Sequence, residues 1–316
     1  MINLLEKLML TQGVSGREEN ICRAIENEIK PFADEIRVDK IGNLIAHKKG
    51  SGKKILIYTN MDEIGFFVNY IEENGLIRVC STRGLNYDAA IYSEVVSENG
   101  VCGILIPESA SEKPSYENVF IDIGAKSKEE AEKQVKLMDS FTCVPKLKKL
   151  GSEKYMGRPL NNRVGCLALI EAIKNIKNNE NDLYFAFTTH AQAENYGSKT
   201  AVYSVDPDIV ISVSIARKEN SRVKLGDGAC IKIKDARSAC SVSVIDMLRN
   251  LASENNIKFQ YEVDESSGYD LSLVRSVAHG AEIGAISIPC ENSHTTAEVV
   301  CMNDVENVIK LIEVLK

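Results

Sequence analysis

Residues 54–66 read Lys-Ile-Leu-Ile-Tyr-Thr-Asn-Met-Asp-Glu-Ile-Gly-Phe. The apolar run from Lys54 to Asn60 has the composition of a buried strand, and it breaks into the polar loop Asn60-Met61-Asp62-Glu63. In α/β proteins, ligands bind where such strands deliver polar groups at their carboxyl ends. The pattern recurs along the chain. Leu183–Thr189 leads into His190-Ala191-Gln192, Ile209–Val213 stops at Ser214, and Ile283–Ile288 precedes Ser293-His294-Thr295-Thr296. A fifth polar site, Asn161-Asn162-Arg163, opens a long helix marked by Val164, Leu167, Ile170 and Ile173. These five sites are rich in amides and hydroxyls and poor in charge. On residue type alone they describe a polar pocket with no assigned reaction.

Helix and strand signals alternate on both sides of this stretch. Ser15 followed by Glu18 reads as a capping box, and Ile21, Ile25 and Ile29 then recur at helical spacing. A strand-like run over residues 35–48 follows, with the turn Gly50-Ser51-Gly52 before the stretch quoted above. After about residue 69 short β-rich runs take over: Leu76–Cys80, Ile91–Glu98, Val101–Pro107 and Val119–Ile123. Asn99-Gly100 between two of them signals a hairpin, because both residues tolerate positive φ. Ser127 with Glu130 opens a helix inside this block. From Asn161 the alternation returns and runs to a last amphipathic helix capped by Asn303 with Glu306. The pattern predicts a discontinuous α/β domain over 1–68 and 160–316, its sheet covered by helices on both faces. A small β-rich domain over 69–159 is inserted in it.

The 316 residues carry a net charge of -7, with 44% apolar and 26% charged residues. That balance fits a large packed core and argues against nucleic acid, which needs a concentrated basic surface. The short cluster Lys146, Lys148 and Lys149 reads as solvated surface. No signal peptide is expected from the first residues, and no apolar run approaches the ~20 residues of a membrane span. The nine cysteines form no Cys-x-x-Cys motif, and several follow valine (Cys80, Cys102, Cys301). They read as small buried hydrophobes of a cytoplasmic protein.

Several ordered segments carry a family likeness. Residues 59–66 resemble the His-Met-Asp-Glu-Ile-Gly-Phe motif of the dinuclear-zinc tetrahedral aminopeptidases, and residues 159–166 resemble their Ala-Leu-Asp-Asp-Arg-Val-Gly-Cys. Residues 187–201 follow the pattern Phe-Thr-x-Gln-Glu-Glu-Val-Gly, then Gly-Ala-Lys-Thr-Ala. Further matches fall at 120–125, 207–209, 224–226, 286–289 and 304–307. The resemblance spans nearly the whole chain. It implies a phosphorylase/hydrolase-like aminopeptidase domain with a mixed sheet and flanking helices, plus an inserted barrel-like dimerisation domain. It also implies assembly from dimer to dodecamer and a site for two zinc or cobalt ions. Two such metals, about 3.5–4 Å apart, would polarise a carbonyl and activate water.

Position by position, the site departs from that pattern. The family's ligand positions fall on Asn60, Asn161 (in the pair with Asn162), Gln192, Ser214 and His294, and its general base falls on Ala191. Only His294 keeps a metal-binding side chain. Neutral amides and hydroxyls are poor zinc donors, and a methyl group moves no proton. No metal cofactor is therefore expected, and the resemblance points to a catalytically inactive homologue acting in assembly, in regulation, or in binding a small peptide or amino acid. The expected pocket is lined by Asn60, Asp62, Asn161, Asn162, Gln192, Ser214 and His294. Partners would be copies of the chain or an active paralogue. The alternative is an active metal-dependent aminopeptidase with a shifted site, drawing ligands from Asp62, Glu63, Glu194, Asp270 and Glu298. A new nucleophile, Cys166 or Ser214 with His190 as base, is a further alternative.

Overall fold

The computed structural model describes residues 1–316 except Ala110, Glu194, Asn195, Asn220, Ser267 and Tyr269. Its main body is a mixed sheet of eleven strands. Four parallel strands form the centre, in the order Asp182–Thr188, Lys54–Asn60, Ile209–Arg217 and Glu282–Glu291. Leu44–Lys48 and Glu35–Val38 extend one side antiparallel. Glu298–Cys301, Lys154–Arg158 and Lys146–Leu150 extend the other. Ala229–Lys234 pairs with Glu282–Glu291 and with Phe259–Val263.

Alternation along the central strands feeds two cores. Ile55 and Ile57 point into one, and Leu56 and Tyr58 into the other, as the two-residue period of a strand requires. The first core is filled by helices Ile2–Leu10, Glu19–Ile29, Leu160–Asn175, Val242–Glu254 and Met302–Glu313. The second is covered by Tyr196–Val205 and Leu271–Val274. Twelve of the sixteen residues in Leu160–Asn175 are buried, so this helix is enclosed on every side instead of showing one apolar stripe. Gly165 permits the closest approach: a Cβ there would lie 2.2 Å from Thr59 Oγ1.

The second unit is a closed six-stranded barrel, Phe66–Ile71, Ile77–Ser81, Val119–Asp122, Cys102–Pro107, Glu94–Ser97 and Ser140–Cys143. It has its own core around Phe66, Val79, Leu105, Ile121 and Phe141. Gly100 closes the expected hairpin at a φ of 84°. The barrel begins at Phe66, before the expected limit of 69, and ends at Cys143, well short of the expected 159. Phe66 and Val68 alternate into the barrel core, whereas residues 146–158 form a hairpin on the edge of the main sheet. The lysines of Lys146–Leu150 lie on that outermost strand, where charge discourages pairing with another chain.

Local signals met three corrections. Glu18 is the residue before the helix Glu19–Ile29 and no side chain caps it; Glu18 accepts instead from the His190 N–H at 2.9 Å. The last helix starts at Met302, so Asn303 lies inside it and does not cap. Cys80 and Cys102 are exposed on the barrel's outer face, while the other seven cysteines are buried; all nine are free.

One buried ion pair joins the pieces around the central helix. Arg163 and Glu63, 0% and 4% exposed, meet at 2.9 Å. Arg163 also donates to the carbonyls of Leu8 (2.9 Å), Thr11 (3.0 Å) and Met61, and Glu63 accepts from the Gly13 N–H at 2.9 Å. Arg163→Met leaves Glu63 buried without a counter-charge and should lower the unfolding free energy by about 3–5 kcal/mol. Urea denaturation reads this, and adding Glu63→Gln should restore part of the loss. Gly165→Ala should force the helix off strand Lys54–Asn60 and cost about 1–3 kcal/mol; an unchanged midpoint would contradict the close packing.

Candidate functional site

The carboxyl ends of the central parallel strands open onto one cavity of about 150 Å³. Asn60, Asn161, Asn162, Gln192, Ser214 and His294 all line it, together with Ala191. Residues from five separate stretches of chain therefore meet at one place. Asp62 lies beneath, fully buried, with Oδ2 accepting the Gln192 N–H at 2.8 Å. Burial lifts its carboxyl to about 7, against the pull of that N–H. The amides are held in place: Asn60 Oδ1 accepts from Thr188 Oγ1 at 2.8 Å, and Asn162 Nδ2 donates to the Asp62 carbonyl.

Glu298 organises the opposite wall. Its Oε2 accepts the N–H groups of Leu160 (2.8 Å) and Asn161 (2.9 Å), the first turn of the central helix, and its Oε1 accepts the His294 N–H at 2.9 Å. A carboxylate at a helix N-terminus satisfies donors that have no partner within the helix and meets the positive end of the dipole. Burial raises the Glu298 carboxyl, while these N–H groups and Arg158 draw it down.

His294 is gripped from two sides. Its Nδ1 lies 2.8 Å from the Gly84 carbonyl and its Nε2 lies 3.1 Å from Arg217 Nη2. A carbonyl only accepts and a guanidinium only donates, so one tautomer satisfies both: Nδ1 carries the proton and the Nε2 lone pair faces Arg217. Burial, reinforced by Arg217 and Arg158, lowers the imidazole to about 4, and the ring is neutral at physiological pH. Gly84 comes from the barrel unit, which thereby contacts His294 and Gln192 of the cavity lining. With its φ of 86°, a Cβ would sit 3.1 Å from the His294 ring. Beside it, the Arg83 N–H donates to the Gln192 carbonyl at 2.9 Å.

Among the described residues, the carboxylates weighed as substitute ligands each have a partner, although Asp62 Oδ1 and Asp270 Oδ2 are buried without one. Glu63 belongs to Arg163, Glu298 to the helix N-terminus, and Asp270, which lines the cavity, accepts from Tyr58 Oη at 2.7 Å. Glu194 lies outside the described residues. Among the described residues, no group of three or more His, Cys, Asp or Glu side chains converges as a metal site would require. His190 does not line the cavity; it borders a separate one with Glu18 and Cys22. Cys166 is buried in its helix with Sγ 3.5 Å from the Asn60 carbonyl, and burial pushes its thiol up to about 12, opposite to what a nucleophile needs. Ser214 is not at a strand end either. Pairing continues through Ile215 and Ala216 to Arg217, opposite Cys290.

That extra turn of pairing brings in Arg217, which the sequence reading did not single out. The apolar Ile215-Ala216 after Ser214 was the available signal that the strand runs on. Arg158 was also passed over. It stands just before the Pro159–Cys166 motif, is 5% exposed, and borders Asn161, Asn162, Gln192 and His294.

With this geometry in view, comparison with known proteins settles the family. The M42 glutamyl aminopeptidase profile matches residues 42–311. The chain belongs to the M42 family. A relative from Acetivibrio thermocellus is 39% identical over 321 residues, covering 99% of this chain and 97% of its own. The lysyl aminopeptidase of Pyrococcus furiosus is 29% identical, covering 99% and 95%. The fold superposes on the TET1 peptidase of Pyrococcus horikoshii with a TM-score of 0.90 at 32% identity, covering 99% and 98%. The α/β body with its closed barrel is thus the M42 fold throughout.

Glu298→Ala should leave three N–H groups at this M42 site without an acceptor. About 2–4 kcal/mol of stability should be lost, with faster amide exchange at Leu160, Asn161 and His294. Unchanged exchange there would show that Glu298 does not hold the helix start.

Proposed function

We propose that this chain is a catalytically inactive M42 homologue whose former metal site is a metal-free pocket for a small peptide or amino acid. The observation that carries the reading is Arg217. Its guanidinium occupies the lone pair of His294 Nε2, the atom with which the one histidine at a family ligand position would bind a metal. A fixed cation beside that nitrogen opposes a divalent ion at the same place. Asn60, Asn161, Gln192 and Ser214 offer neutral oxygens in place of charged donors, and Ala191 offers no base. Hydrolysis by an activated metal-bound water has no supporting residues among these.

The pocket suits recognition instead. Amides and a hydroxyl fix the orientation of a polar ligand. The P. horikoshii TET1 peptidase can assemble into a tetrahedron or a large octahedral shell, and we expect this chain to form a homo-oligomer through its barrel. Among the described residues no helix is long and apolar enough to cross a membrane.

The test is metal stoichiometry with a parallel assay. Protein incubated with zinc or cobalt and desalted should carry essentially no metal by mass spectrometry, and should release no amino acid from aminoacyl chromogenic substrates. About two ions per chain, or turnover, would establish the shifted-site aminopeptidase in its place.

A further inference from the structure

The cavity contains a positive group with a donor left over. Arg217 Nη2 is taken by His294, but its Nε is shut off from solvent and has no hydrogen-bond partner among the described residues. Arg158, on the adjoining wall, is 5% exposed; its Nη2 reaches the Ile64 carbonyl only at 3.5 Å, and its Nη1 is likewise buried without a partner. Two guanidinium groups therefore border the same amide-lined wall formed by Asn161, Asn162 and Gln192, each with an unsatisfied N–H. Buried cationic donors of this kind are stable when an anion completes them.

The chain's own carboxylates do not. Glu298 is saturated by three backbone N–H groups, and Glu63 is held by Arg163. Asp270 Oδ1 accepts from Tyr58 and Asp62 Oδ2 from the Gln192 N–H; among the described residues their other oxygens are buried without a partner, and neither carboxyl is hydrogen-bonded to Arg217 or Arg158. His294 is neutral, and the amides add no charge. The space matches a small ligand: 150 Å³ equals about five water volumes at ~30 Å³ each.

We propose that this cavity binds the carboxylate of a free amino acid or of a short peptide's carboxyl end, held by the Arg217 guanidinium with Arg158 supplying a second positive charge. The inference rests on the metal-free reading of the site and deepens it. Arg217 lines the cavity, a planar guanidinium suits a carboxylate, and the cavity amides orient what is attached to it.

The experiment uses the full chain without added metal. Thermal shift and calorimetry are run with L-alanine, L-alanyl-L-alanine, L-alaninamide and sodium sulfate. Alanine, the dipeptide or both should stabilise and titrate, and which of them does identifies the source of the carboxylate. Alaninamide, which keeps the amine but lacks the carboxylate, should not. Arg217→Met should weaken binding by roughly tenfold or more, the loss expected for a charge-assisted hydrogen bond. Arg217→Lys keeps the charge without the fork and should fall between. Equal stabilisation by alaninamide, equal or tighter binding of sulfate, full affinity in Arg217→Met, or no binding at millimolar ligand would each overturn the proposal. If Arg217→Met does not fold, the alanine-to-alaninamide contrast on the unaltered chain and Arg217→Lys still decide it. Metal content measured on the same sample separates the two readings. Two bound ions sink the metal-free site itself, whereas no metal and no carboxylate binding sinks this inference alone.

Discussion

Arg163 sits within the most enclosed helix of the protein, and a guanidinium there must find acceptors for its N–H groups inside the protein. It finds Glu63 and the carbonyls of Leu8, Thr11 and Met61. These acceptors come from the N-terminal helix, the loop after it and the loop that follows strand Lys54–Asn60. One side chain therefore fixes two stretches far apart in sequence, 8–11 and 61–63, against the central helix. Asn60 enters the cavity one residue before this clamp, and Asn161 and Asn162 precede Arg163 on the same helix. The geometry of the amide wall follows from a buried ion pair that itself touches no ligand. Such a pair costs desolvation, and here the saturated acceptors offset it.

The second theme is charge. A dinuclear metal site concentrates carboxylates that only the metals make tolerable. Two carboxylates about 4 Å apart at an effective dielectric near 20 repel by about 4 kcal/mol. In this chain the positions concerned hold Asn60, Asn161, Gln192 and Ser214, which can hydrogen-bond without repulsion. Of the remaining acids, Glu63 faces a guanidinium and Glu298 a helix start, while Asp62 and Asp270 are buried with one oxygen hydrogen-bonded and the other without a partner among the described residues. Positive charge enters through Arg217 and Arg158. In the reading proposed above, the cavity is organised by fixed cations among neutral amides.

The barrel is part of the site and not an appendage. Its Gly84 carbonyl selects the tautomer of His294, and that choice aims the lone pair at Arg217. The positive φ at Gly84 and the 3.1 Å clearance to the ring leave no room for a side chain. A small conformational freedom in one domain therefore sets the protonation pattern in the other.

The sequence by itself determined the α/β alternation, the β-rich insert and the chemical poverty of the site, because these are written in residue type and spacing. Ile55 and Ile57 against Leu56 and Tyr58 already encode a two-faced strand, and Asn60, Ala191, Gln192 and Ser214 carry neither a charged nor an imidazole donor. Boundaries were less legible. The hairpin over 146–158 carries short lysine-rich strands whose allegiance depends on Glu298–Cys301, far along the chain. Only the tertiary structure decided what His294 does. Its two partners lie 77 and 210 residues away, at Arg217 and Gly84. Contacts at such separations leave no local period to read, and a half-buried histidine takes its proton state from whatever the fold packs against it.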